Sequence, residues 1–157
     1  LRFTRTDAHG RAPVDISAVL STVFEDQARE FDRRGLTRSS QSEAPGARVS
    51  GDAAVLAQLL YSVISNAIEA TPAGGRVDGS IQRAGEGRIE VSIADTGHGI
   101  APENMEALFR PFFTTKKEGL GLGLSLVRRT VERMGGHIRI QSAPGAGTIV
   151  TFDLPAA

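Results

Sequence analysis

Between Asp52 and Thr71 the chain reads "AAVLAQLLYSVISNAIEA", and Leu56, Leu59, Leu60, Val63, Ile64, Ala67 and Ile68 recur at steps of three and four. That spacing predicts an amphipathic helix with a wide apolar face, started by an Asp52 cap and stopped by "TPAGG". A face this broad needs a broad apolar partner, and the segments after it alternate with period two. "RVDGSIQRA" and "RIEVSIAD", joined by "GEG", predict a hairpin, and "HIRIQS" and "TIVTFDLP" predict another around "APGAG". Upstream, Ile16, Leu20, Val23, Phe24, Ala28 and Phe31 predict one helix behind a Ser17 cap, ending near Gly35. Two short strands are expected near 36–39 and 47–50, on either side of the polar "RSSQSEAPG". A short helix is predicted over 102–108, and a last one begins near Leu122, runs through Leu124, Val127, Val131 and Met134, and stops at Gly135 and Gly136. No strict βαβ repeat is present. The pattern implies an α/β fold whose mixed or antiparallel sheet carries helices on one face.

A chain of 157 residues suffices for one domain with a substantial core. Its 18 acidic and 18 basic side chains cancel, which argues against nucleic-acid binding or contact with an anionic membrane. Absence of cysteine excludes disulfides, thiolate metal sites and a thiol nucleophile, and fits a cytoplasmic setting. No apolar run approaches the ~20 residues of a bilayer span. Residues 1–13, "LRFTRTDAHGRAP", lack an apolar period and read as a linker or cut end, leaving 14–157 as the folded domain.

Three glycines alternate with leucines in "KKEGLGLGLSLV", behind Lys116 and Lys117, the only lysines in the chain. As an inner strand this run would leave one face without side chains to pack. As a dinucleotide fingerprint it fails, because Leu124 stands three residues beyond Gly121 where glycine is required, and no Walker sequence occurs. What fits is a glycine-rich entry into a helix, where Gly121, Leu122, Gly123 and Leu124 offer backbone N–H groups to phosphate and the lysines supply counter-charge.

In "DTGHGI" the alternation of the preceding strand carries Asp95 onto the apolar face of Ile89, Val91 and Ile93. The bland account is a turn in which Asp95 caps nearby N–H groups. The sharper one is a buried acceptor for a base amino group, with Gly97 and Gly99 admitting a flat ring and Ile100 packing on it. A buried carboxylate in either case requires a partner. On the predicted central helix, Asn66 and Glu69 lie in a polar stripe with Gln58, Ser62 and Ser65. Solvation alone accounts for such a stripe, although the Asn66 amide oxygen is also a ligand type that Mg²⁺ accepts beside water and phosphate. Phe109, Phe112 and Phe113 in "LFRPFFTTKK" fit either a loop pinned to the core or a closing lid.

Taken in order, "SVISNAIEATP", "DTGHGI", "FRPFFTTKK" and "GLGLGLS" resemble the N, G1, F and G2 boxes of sensor histidine kinases, two-component enzymes of the GHKL ATPase superfamily. The resemblance spans Val14 to Leu154. It implies a two-layer α/β sandwich of the Bergerat type, with about five strands in a mixed sheet under three helices. By position, Asn66 resembles the Mg²⁺-ligating asparagine, with Glu69 and Ala70 beside the nucleotide. Asp95 resembles the adenine-reading aspartate, with Gly97, Gly99 and Ile100 lining the base pocket. Lys116 and Lys117 fall in the ATP lid, Gly121, Leu122, Gly123 and Leu124 on the phosphate-binding backbone, and Thr148 where a residue often lies under the base. The implied reaction passes the ATP γ-phosphoryl group to a histidine, then to an aspartate of a response regulator.

Two departures bear on that expectation. Ser62 stands where hydrolysing relatives carry a general-base glutamate, which argues against autonomous ATP hydrolysis. None of His9, His98 and His137 is followed by an acidic residue, so the phosphoacceptor is expected on a separate dimerisation hairpin, whose tail "LRFTR" resembles. Alternatives are a serine kinase of the anti-sigma type and a non-catalytic nucleotide-binding module that docks through its phenylalanines.

Overall fold

The computed structural model describes residues 12–110 and 123–157. Strand β1 (Ala12–Asp15) leads into helix α1 (Ile16–Asp26), followed by α2 (Ala28–Arg34), β2 (Thr37–Ser42), β3 (Arg48–Gly51) and α3 (Ala53–Ala70). The hairpin of β4 (Arg76–Arg83) and β5 (Arg88–Asp95), the single turn α4 (Pro102–Met105), α5 (Gly123–Arg133), and the hairpin of β6 (His137–Ser142) and β7 (Thr148–Pro155) complete the order. Five strands form one sheet in the order β2-β4-β5-β7-β6, parallel between β2 and β4 and antiparallel elsewhere. The mixed sheet and its helical cover are the architecture that the periodicities imply. A separate two-stranded ladder pairs β1 with β3, beginning at Ala12 within the span expected to be a linker.

The predicted central helix is α3. Asp52 caps it by accepting from the Ala54 and Val55 amides at 2.8 and 3.2 Å. By length and composition alone this helix passes for a membrane span, which corrects the expectation that no run approaches one; Leu56, Leu60, Ile64 and Ile68 are instead buried in the core with Val77, Ile81, Ile89, Val91, Ile93, Phe152 and Leu154 of the sheet. Each such side chain contributes roughly 1.5–3 kcal/mol on burial. Leu20, Val23 and Phe24 of α1 and Val127 and Val131 of α5 join the same core. Gly79 in β4 makes room for this layer, since a Cβ there would stand 2.7 Å from Cε2 of Phe24. The other sheet face is polar, as an antiparallel sheet open to water permits. There the Ser92 and Thr151 hydroxyls meet at 3.0 Å and Arg139 reaches Glu90 at 3.3 Å.

Three local expectations need correction. The first helix is capped by Asp15, which accepts from the Ala18 amide at 3.1 Å. Ser17 instead donates to the Ser42 hydroxyl at 2.9 Å and ties α1 to β2. The single helix expected up to Gly35 is divided at Gln27, whose side chain is buried and donates to the Ser65 hydroxyl of α3 at 2.8 Å. Apolar spacing continues through the division to Phe31, so the sequence pattern does not mark it. Gly35 does end α2, at φ 67°. The short helix expected over 102–108 closes after Met105.

Neighbouring residues of α3 separate packing from surface effects. Leu60→Ala is expected to cost about 2–5 kcal/mol in urea unfolding, because Leu60 is fully buried. Tyr61→Ala, at a side chain 54% exposed, should stay within about 0.5 kcal/mol.

Candidate functional site

Asp95 ends β5 directly opposite Thr148, the first residue of β7. Because opposed residues share a face, the carboxylate and the Thr148 side chain lie side by side at the mouth of the helix-covered side. One carboxylate oxygen, Oδ1, accepts from both the Gly97 amide at 2.9 Å and the Thr148 amide at 3.2 Å. Burial pushes the Asp95 carboxyl above the ordinary aspartate range, against the opposing pull of those two N–H groups and of His98.

Asp153, on the same strand pair but at its far end, behaves oppositely. Burial raises its carboxyl too, but hydrogen bonds from Arg88 and His137 outweigh that and hold it below the usual range. Among the described residues no arginine pairs with Asp95. A half-buried carboxylate with no arginine partner among the described residues is a functional-site candidate, whereas Asp153 is a structural ion pair.

Glycines build the walls. A Cβ on Gly97 would stand 2.8 Å from Asp95 Oδ1 and overlap the Ala70 carbonyl. Gly99 (φ 74°) and Gly147 (φ 77°) lie in the left-handed region, and side chains there would overlap the carbonyls of Ala143 and Asp95. The 95–100 loop is stapled from both sides. His98 N–H donates to the Ala70 carbonyl at 3.1 Å, at the end of α3, while Gly145 N–H donates to the His98 carbonyl at 2.8 Å. Ile100 N–H donates to the Ser142 hydroxyl at 2.8 Å. Thus Asp95, Gly97, Gly99, Ile100, Ala70 and Thr148 are brought together at one end of the sheet.

Asn66 is half-buried on α3, and a Cβ built on Gly123 would lie 3.5 Å from its Nδ2. The start of α5, with its partial positive charge, therefore adjoins the Asn66 amide. No cluster of three or more His, Asp or Glu side chains suited to a metal occurs among the described residues. Glu69 is exposed and lines, with Arg34, Ala70, Thr71, Pro72, Ala73 and His98, an open cleft of about 300 Å³. That cleft shares Glu69 and Ala70 with the expected nucleotide surroundings but contains neither Asp95 nor Thr148. Asp95 and Thr148 are placed by the hydrogen bonds above, outside that cleft. Leu124, in the first turn of α5, is half-buried.

Lys116, Lys117, Gly121, Leu122, Phe112 and Phe113 lie outside the described residues. Phe109 is described, and the Arg128 guanidinium of α5 sits 5.1 Å from its ring centroid, a cation–π contact between the F-box stretch and that helix. Ser142, Gly145 and Gly147 were missed as site residues, because "SAPGAG" looks like an ordinary turn. The available signal was hairpin symmetry, which sets Ser142 opposite Thr148.

Comparison with known proteins bears on the family and the fold. Residues 51–157 match the family of histidine kinase-, DNA gyrase B-, and HSP90-like ATPases. The sensor histidine kinase ZraS of Klebsiella oxytoca is 34% identical over 142 residues, covering 90% of this chain and 31% of that protein. The chain spans under a third of the length of such relatives. Full-length ShkA, solved in complex with AMPPNP, superimposes with a TM-score of 0.85 at 32% identity, over 95% of this chain and 32% of that one. Histidine kinase ThkA, solved in complex with response regulator protein TrrA, gives a TM-score of 0.81 at 25% identity, over 94% of this chain and 42% of that one. With the family match over 51–157 and a shared fold, the chain belongs to the histidine kinase-, DNA gyrase B- and HSP90-like ATPase family and is related within it to the sensor histidine kinases.

Proposed function

We propose that the domain binds Mg·ATP and presents its γ-phosphoryl group to a histidine on a separate dimerisation hairpin, from which it passes to the receiver aspartate of a response regulator in the cytoplasm. The observation that carries this reading is the division of labour on Asp95. Its Oδ1 is committed to two backbone amides, so Oδ2 remains as an acceptor, and we take the ground beside it, next to Gly97 and Thr148, as the base slot. Adenine offers a donor amino group to such an acceptor. The bound AMPPNP in ShkA supports the assignment by analogy.

The remaining roles are carried over from the family resemblance. Gly97, Gly99 and Ile100 flank the base, and Glu69 and Ala70 border it at the end of α3. In this reading the first turn of α5, Gly123 and Leu124, offers N–H groups to the phosphates, and the resemblance adds Gly121 and Leu122, which lie outside the described residues. Asn66 beside that turn suits Mg²⁺, which keeps most of its waters and takes few protein ligands; the ion would neutralise charge between the phosphates. Lys116 or Lys117 supplies a cation to the γ-phosphate. Phosphoryl transfer of this kind depends on position and electrostatics, with the histidine nitrogen attacking phosphorus as its bond to the β–γ bridging oxygen breaks and ADP departs. Ser62, half-buried one turn before Asn66, is too weak a base to activate water, which preserves the phosphoryl group for transfer.

Asp95→Asn keeps Oδ1 as the acceptor of both backbone amides and turns the other atom from acceptor to donor. Calorimetric affinity for Mg·ATP is expected to fall by at least about tenfold with little change in melting temperature; unchanged affinity would remove Asp95 from base recognition. Acidification gives a second check. Since burial raises the folded carboxyl, the wild-type affinity should weaken as pH drops through a range above that of an ordinary aspartate, and Asp95→Asn should lack this limb. For the free domain the sign reverses: a raised carboxyl contributes stability below its unfolded pKa and loses it as pH climbs through the folded one. With labelled ATP, a supplied dimerisation hairpin should acquire acid-labile phosphate. Acid-stable label on an anti-sigma antagonist instead would favour the serine kinase, and label on neither would leave a binding module.

A further inference from the structure

Three adjacent strands place Asp95, Thr148 and Ser142 in one row, with Asp95 opposite Thr148 and Thr148 opposite Ser142. Ser142 Oγ makes three contacts. It accepts from Ile100 N–H at 2.8 Å, lies 2.9 Å from the Gly147 carbonyl oxygen, and lies 2.9 Å from Thr148 Oγ1. A serine hydroxyl has one hydrogen and two lone pairs. The Gly147 carbonyl can only accept, so the Ser142 hydrogen goes there. One lone pair is taken by Ile100 N–H, and the other is left for the Thr148 hydroxyl, which must donate. The single hydrogen of Thr148 is thereby directed at Ser142, away from the base slot. Toward the neighbouring Asp95, Thr148 Oγ1 has only lone pairs to offer.

We propose that Ser142 is a specificity-determining positioning residue, which by holding the Thr148 hydrogen makes the row Asp95–Thr148 acceptor-only and so selects a 6-amino purine over a 6-oxo purine. A 6-amino group donates to such a row, directly or through water. In the pose that turns the 6-substituent to the row, a 6-oxo group meets lone pairs with lone pairs, and the neighbouring N1–H reaches the row only if the base shifts, which is the costlier kind of mismatch. The bond from Ile100 N–H to the same oxygen means that one side chain sets both the polarity of the slot and the position of the residue beside the base. This inference rests on the nucleotide reading above and deepens it.

The test compares Mg·ATP with Mg·ITP, whose bases differ at the 6-position exchange of amino for oxo and the accompanying N1 proton. Calorimetry on the wild-type domain is expected to favour ATP by on the order of tenfold or more. Ser142→Ala frees the Thr148 hydroxyl to rotate and donate, so the ATP/ITP ratio should contract to about threefold or less, and Ser142→Thr, which keeps a hydroxyl at the same atom, should restore most of it. Should Ser142→Ala fail to fold by circular dichroism, Thr148→Val provides the second arm, since it leaves the Ser142 bonds to Ile100 and Gly147 in place and should also contract the ratio. Loosening of the loop alone would weaken both nucleotides together, and an unchanged ratio in a folded Ser142→Ala or Thr148→Val protein would overturn the role assigned to Ser142 while leaving ATP binding intact. Failure of the wild-type domain to bind either nucleotide would overturn the nucleotide reading and this inference with it.

Discussion

The Asp95 carboxylate is held by the amides of Gly97 and Thr148 through a single oxygen, and the rest of the site is arranged around that fact. Taking a carboxylate partly out of water is costly, and two backbone N–H groups offset only part of the cost, so the group remains raised. An arginine pair of the kind that Asp153 receives would have relieved it, but would also have occupied the second oxygen. The site tolerates a poorly compensated carboxylate in exchange for an acceptor that a ligand can use. Gly97 and Gly147 belong to the same constraint, because any side chain at either position would push into the Asp95 main chain or carboxylate.

Rigidity around Asp95 comes from both layers of the fold. On the helix side, His98 is tied to the last carbonyl of α3, the helix whose buried face organises the core. On the sheet side, Gly145 and Ser142 anchor the same loop to the β6–β7 turn. A six-residue loop is thus clamped between an α-helical terminus and a hairpin, and the polarity of its contents is set by hydrogen bonds that are themselves satisfied. Preorganisation of this kind lets a small number of polar groups discriminate between ligands, since little ordering remains to be done on binding. Asn66, on the same helix α3 whose last carbonyl holds His98, adjoins the start of α5.

Legibility in the sequence followed the range of the interactions. The apolar stripe of α3, the inward phase of Asp95 and the stop at Gly135 and Gly136 are local and periodic, and each could be read from residue spacing. The division at Gln27 was not legible, because its cause is a hydrogen bond to Ser65, 38 residues away. The same holds for Ser17, whose expected capping role is replaced by a contact with Ser42 on a strand 25 residues later. Polar side chains near a helix start carry a local signal for capping, and a tertiary partner can override it without altering the apolar pattern.

The amino-acid sequence by itself determined the kinds of element, their order and the residue types available to a nucleotide, because helical and strand periods and the four boxes are properties of short stretches. Tertiary structure alone decided which of those residues became neighbours. Asp95 and Thr148 are 53 positions apart, and nothing in either stretch states that they share a row with Ser142. That row exists because β7 inserts between β5 and β6 and pairs with both in one register, and a shift of a single residue would have turned its side chains to the opposite face of the sheet.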